Sequence, residues 1–143
     1  MTEVKFYDFV EDSLLKFAVI IAKYNGKYIF CKHKQRDTYE IAGGHREDGE
    51  NIDETARREL YEETGAIEFD ITPICVYSVT DSDNFNGNET FGMLYYAEIE
   101  LLEAELHSEI EKIIITNELP AQWTYPLIQP KLWEEAERRG FID

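Results

Sequence analysis

The chain has 143 residues, 43 % of them hydrophobic and 13 % aromatic, which suits one packed domain and excludes a wholly disordered polymer. Lys and Arg number 14 against 30 Asp and Glu, a net charge of −16. Long-range repulsion therefore opposes duplex nucleic acid and anionic membrane as partners, and an anionic ligand would need a divalent cation between itself and the protein.

Two further classes fall away. The longest apolar run, Phe17 to Ala22, is too short to span a bilayer, and the first five residues lack the basic-then-apolar pattern of a signal peptide. Cys31 and Cys75 are the only cysteines and lie in apolar, strand-like runs. They allow neither a disulfide framework nor a four-thiolate zinc site, and suit reduced, buried thiols in a cytoplasmic protein. No repeat, linker or low-complexity block divides residues 1–143, which are expected to form a single domain.

In chain order, residues 17–24 and 27–33 flank Asn25-Gly26, a type I′ hairpin signal between two β-prone runs. Gly43-Gly44 follows. Residues 52–64 are expected to form a helix: Asn51 can cap it with Glu54 at the capping-box spacing, and Gly65 supplies a left-handed stop. Residues 71–79 read as a strand, with Pro73 pointing to an edge or irregular position. Residues 81–90 read as a polar loop, 91–101 and 112–116 as strands. A last helix starts near Pro130 and carries Leu132, Trp133 and Ala136 on one face. Strands on both sides of a central helix, with a terminal helix, predict an α/β fold with a mixed sheet and helices packed on it.

The central helix carries the chemistry. Glu59, Glu62 and Glu63 fall within about a 100° arc of it, while Ile52, Ala56 and Leu60 form a separate apolar stripe that can anchor it. A rigid cluster of hard oxygen ligands is what Mg²⁺ or Mn²⁺ prefers. Arg58 can hold a carboxylate in place, with Glu50 as a partner, and Gly43 and Gly44 permit close backbone approach. Taken alone, three glutamates also describe a solvated face of a Glu-rich protein.

The segment Gly44 to Ala66 resembles the Nudix box. Gly44, Glu50, Arg58, Glu59, Leu60, Glu62, Glu63 and Gly65 match it in spacing, and the final apolar position is Ala66. The flanking hairpin and strands extend the resemblance over most of the chain. Ile41-Ala42 stands before the glycines where many members have an apolar residue and Pro. The resemblance implies a Nudix-type α/β/α sandwich and a MutT-like pyrophosphohydrolase. The implied reaction converts a nucleoside triphosphate, with 8-oxo-dGTP one example, to monophosphate and pyrophosphate.

It also implies roles. Glu59, Glu62, Glu63 and the Gly44 carbonyl would hold Mg²⁺, with Mn²⁺ an alternative. Glu59 would activate water, Arg58 would orient Glu59, and Glu50 would be structural. A further carboxylate outside the box would be Glu109 or Glu111. Of the scarce basic residues, Lys32, Lys34, Arg36 and His45 are candidates for phosphate contact, with His33 and Arg46 beside them. Trp123 and Tyr125 are candidates for stacking on a base, or for packing. Nucleotide sugars, dinucleoside polyphosphates, 5′-triphosphorylated RNA and a catalytically silent nucleotide sensor remain open, as does the choice between monomer and homodimer. The loop at 81–90 does not fit a calcium loop, since Gly92 stands where the twelfth-position Glu belongs.

Overall fold

The computed structural model describes residues 2–81, 87–103 and 110–143. Its elements run β1 (Thr2–Tyr7), a 3-10 turn (Asp12–Leu14), β2 (Leu15–Tyr24), β3 (Lys27–His33), β4 (Ala42–His45), α1 (Ile52–Thr64), β5 (Ala66–Asp81), β6 (Thr90–Leu102), β7 (Ile110–Thr116) and α2 (Gln129–Arg138). The strands form one mixed sheet in the order β1-β5-β6-β2-β3-β7, with β4 also paired to β2.

The hairpin forms at Asn25 and Gly26, with φ of 51° and 77°, as a type I′ turn requires. β2 is the hub of the sheet. One side pairs in parallel with β6; the other is shared between β4 near its start and β3 near its end. Ala18, Ile20 and Ala22 face one layer of the core, Val19 and Ile21 the other. That alternation, with both faces covered, explains the continuous apolar run.

α1 lays Ile52, Ala56 and Leu60 on the first layer. Both halves of its capping box are made: Glu54 N donates to Asn51 Oδ1 at 2.8 Å and Asn51 N to Glu54 Oε1 at 2.9 Å, an arrangement worth about 1 kcal/mol. Gly65 ends the helix at φ 81°. α2 lays Leu132, Trp133 and Ala136 on the second layer, completing helices on both faces of a mixed sheet. Among the described residues, no helix is long and apolar enough to cross a membrane.

Three elements differ from the sequence reading. β1 is an additional edge strand, antiparallel to β5. β4 is an additional strand through Gly43-Gly44. β5 begins at Ala66 and passes through Pro73, which sits beside a register shift where β1 no longer covers the strand, so the missing N–H disrupts no ladder on that side. Of the polar loop, residues 82–86 lie outside the described residues. So does Glu109; the backbone of Glu111 lies in β7, and its side chain also falls outside.

Candidate functional site

Two neighbouring elements build the site. β4 runs antiparallel along β2, and α1 packs across them through its apolar stripe. Gly43 approaches β2 so closely that a Cβ there would lie 2.4 Å from the Ala18 carbonyl oxygen. Its N–H faces away and donates to Glu63 Oε1 at 2.8 Å. Gly44 leaves room for Glu59, whose carboxylate atoms lie 2.4–2.6 Å from where a Gly44 Cβ would stand.

Arg58 organises the acidic residues. Its Nε and Nη2 grip Glu50 at 2.6 and 3.0 Å, Nη1 donates to Glu59 at 2.7 Å, and Nη2 also reaches the His45 carbonyl. Glu62 and Glu47 lie 3.3 and 3.5 Å from Nη1. The guanidinium holds the Glu50 carboxyl down at about 2. Glu59, with a side chain only 12 % exposed, is pushed upward by burial despite Arg58. Glu63 is pushed up to about 8, first by burial and then by Glu59, Glu40 and Glu62, with the Gly43 N–H opposing.

Glu40 joins this cluster without any motif to announce it. It is buried, and burial pushes it up to about 7. Its Oε1 lies 2.6 Å from His33 Nε2, which is itself 3.5 Å from Glu63 Oε2.

A cavity of about 780 Å³ opens over these residues. Its polar lining includes Glu59, Glu63, Glu40, Gly44, His33 and His45. Its apolar lining comes from Phe17, Val19, Tyr77, Val79, Ile128 and Leu132, with Gln129 and Asp81 also on the wall. Tyr77 and Gln129 were not legible as site residues, since no spacing links them to the box. Both are buried polar groups brought to the cavity by β5 and α2.

The remaining expected residues separate clearly. Arg36 lines the cavity beside Tyr125, its guanidinium 5.9 Å from the ring centroid and 3.6 Å from Glu40. His45 packs edge-on against Phe17. Lys32 and Lys34 are not among the lining residues. Arg46 is committed elsewhere, bonding Asp12 and the Leu15 and Glu50 carbonyls. Trp123 packs edge-on against Phe30. Glu62 is 41 % exposed and does not line the cavity. Among the described residues no three His, Cys, Asp or Glu side chains are arranged around a common cation position. Glu59 and Glu62 are turned to Arg58 and Glu63 to Gly43.

The comparisons agree with this architecture. Residues 14–136 match the NUDIX domain family, and the chain belongs to it. It is 31 % identical over 106 residues to the Bacillus subtilis protein provisionally named 8-oxo-dGTP diphosphatase YtkD; the match takes in 73 % of this chain and 64 % of that protein, under two thirds of its length. In fold it is similar to the B. subtilis pyrophosphohydrolase BsRppH, seen as its E68A mutant, with a TM-score of 0.79, 24 % identity, and coverage of 99 % and 93 % of the two chains. It is also similar to the NUDIX domain of Shewanella oneidensis NrtR complexed with ADP ribose, with a TM-score of 0.62, 15 % identity, and 93 % coverage of each.

Proposed function

We propose that the chain is a divalent-metal-dependent pyrophosphohydrolase that cleaves a nucleoside triphosphate to monophosphate and pyrophosphate. The observation that carries this reading is the convergence of Glu59, Glu63 and Gly44 on one cavity, with Arg58 clamped between Glu50 and Glu59. The names of YtkD and BsRppH support the same class of chemistry, and the former makes 8-oxo-dGTP one substrate to test.

The donor set fits Mg²⁺ in kind: hard carboxylate oxygens, crowded and desolvated enough that Glu63 rises to about 8. Glu59, Glu62 and Glu63, with the Gly44 carbonyl, would hold the ion. When bound, the ion supplies charge neutralisation for the phosphates and acidifies the attacking water.

The chain's own groups do the rest. Glu59, at the cavity wall, would be the general base toward the attacking water. Arg58 keeps Glu59 oriented and Glu50 keeps Arg58 in place. Arg36 and His45, at the cavity wall, are placed to meet phosphate oxygens. The acidic surface then no longer repels the substrate at the point of contact.

Phosphate release from a panel of nucleotides, with and without Mg²⁺ and with inorganic pyrophosphatase added in parallel, tests the proposal. Signal that needs both additions is expected. Nucleotide binding without turnover would instead make the chain a sensor, and phosphate release without Mg²⁺ would refute the role given to the acidic cluster.

A further inference from the structure

The cavity wall holds two polar groups that the hydrolytic chemistry does not use. Gln129, at the start of α2, is 5 % exposed, and its Oε1 accepts the Ile41 N–H at 2.8 Å. A backbone N–H can only donate, so this contact fixes which end of the amide is oxygen. The other end, the Nε2 amino group, has no acceptor among the described residues. Tyr77 is 4 % exposed, and its hydroxyl likewise has no partner among them.

No fully enclosed side-chain nitrogen or oxygen among the described residues lacks a hydrogen bond. The Gln129 amino group and the Tyr77 hydroxyl must therefore open to solvent-accessible space. Both residues line the cavity. A mainly apolar wall with a few fixed polar groups is the usual form of a site that orients a flat organic ligand. The spacing also suits a nucleotide. Ile41 N–H holds Gln129 and Gly43 N–H holds Glu63, two residues apart where the chain enters β4, at most about 7 Å.

We propose that Gln129 and Tyr77 recognise the base of the nucleotide, and that the pinned amide of Gln129 selects bases presenting a ring carbonyl over bases presenting an amino group. The inference rests on the reading of the cavity as a nucleotide site. With its oxygen turned to Ile41, the unpaired end that Gln129 offers is the amino group, a donor. It pairs with the carbonyl of guanine, hypoxanthine or uracil, and opposes donor to donor against the amino group of adenine or cytosine. Tyr77 can donate or accept, so it adds affinity without choosing. Oxidation of guanine at C8 converts N7 from an acceptor to a donor, which Gln129 cannot accept. Gln129 therefore gives 8-oxoguanine no advantage over guanine.

The test is equilibrium binding, by calorimetry in Mg²⁺, of the non-hydrolysable α,β-methylene analogues of GTP, ATP, UTP and CTP. The wild-type chain is expected to bind the GTP analogue about tenfold tighter than the ATP analogue, and UTP over CTP likewise. Gln129→Met removes the donor and brings both ratios near one. Gln129→Glu keeps an acceptor for Ile41 N–H but replaces the amino group with an acceptor, so the ratios fall below one. Tyr77→Phe weakens all four alike. Melting curves establish that each variant is folded, and Gln129→Glu decides if Gln129→Met is not. Equal wild-type affinities, or unchanged ratios in folded Gln129 variants, overturn the proposal. Absence of binding by all four overturns it too, and phosphate release measured on the same preparation then shows separately whether the hydrolase reading stands.

Discussion

The two adjacent glycines of β4 should fail in different ways. In Gly44→Ala the new Cβ would stand 2.4–2.6 Å from the Cδ and both oxygens of Glu59. Ordinary contact needs about 3.5 Å, so the carboxylate must retreat by about 1 Å. It is the far end of a rotatable side chain, so the backbone need not move. Arg58 keeps its two bonds to Glu50, and the loss of stability should stay within about 1 kcal/mol. A misplacement of that size at a reacting group costs about 10²-fold in turnover.

In Gly43→Ala the Cβ would instead meet backbone, the Ala18 carbonyl oxygen at 2.4 Å and Val19 Cα at 3.0 Å. β4 must then shift off β2 or β2 must distort. The cost should be about 3 kcal/mol, a fall in melting temperature of roughly 10 °C. Steady-state pyrophosphate release and thermal melting on both variants separate the cases. Gly44→Ala with wild-type turnover, or with a melting loss equal to that of Gly43→Ala, would refute the placement of Glu59 against Gly44.

Further predictions concern the acidic cluster. Glu59→Gln should fold normally and lose about 10²-fold or more in kcat; near-native turnover would remove Glu59 from the mechanism. Arg58→Met should lose both activity and stability, the latter by about 2 kcal/mol because Glu50 and Glu59 lose a partner at once, and a urea midpoint unchanged from wild type would contradict the clamp. Glu63 and Glu40, raised to about 8 and about 7, bind protons in the folded chain that the unfolded chain has already released. Stability in EDTA should therefore fall as pH rises from about 4.5 to 8, and urea midpoints that rise over that interval would refute it. Mg²⁺ should flatten this slope, because it favours the ionised carboxylates; a slope indifferent to Mg²⁺ would count against Glu63 as a ligand. Glu50, held down at about 2, contributes stability above pH 4.5 that is lost as pH falls toward 2.

The sequence carried most where a local rule closes on itself. Asn51, Glu54 and Gly65 define α1 at both ends, and Asn25-Gly26 defines the hairpin, because capping and turn chemistry are settled within a few residues. β4 was hidden because Ala42, Gly43, Gly44 and His45 have little strand propensity. They are extended because β2 pairs with them. β1 alternates in burial over Thr2 to Lys5 and is legible in principle, although the first five residues were read only against the signal-peptide pattern. The Nudix box pointed to Glu59, Glu62, Glu63 and Arg58, of which Glu59 and Glu63 line the cavity. It could not place Glu40, Tyr77 or Gln129, whose relation to the site exists only after β3, β5 and α2 have packed. Scarcity of basic residues does not by itself mark a phosphate contact, since a guanidinium such as that of Arg46 serves equally to tie Asp12 to a loop.

The parallel pairing of β2 with β6 joins two stretches of chain that come from opposite sides of α1. The acidic cluster of the cavity belongs to the earlier stretch, from β2 through α1, while Tyr77 and Gln129 arrive with β5 and α2. The acidic cluster and the Tyr77 and Gln129 part of the wall thus come from separate stretches of the chain and meet across the sheet. On the proposed reading, changes at Tyr77, Ile128 or Gln129 would retune the ligand without touching the Arg58 clamp. A fold partitioned in this way can keep one reaction while its substrates diverge.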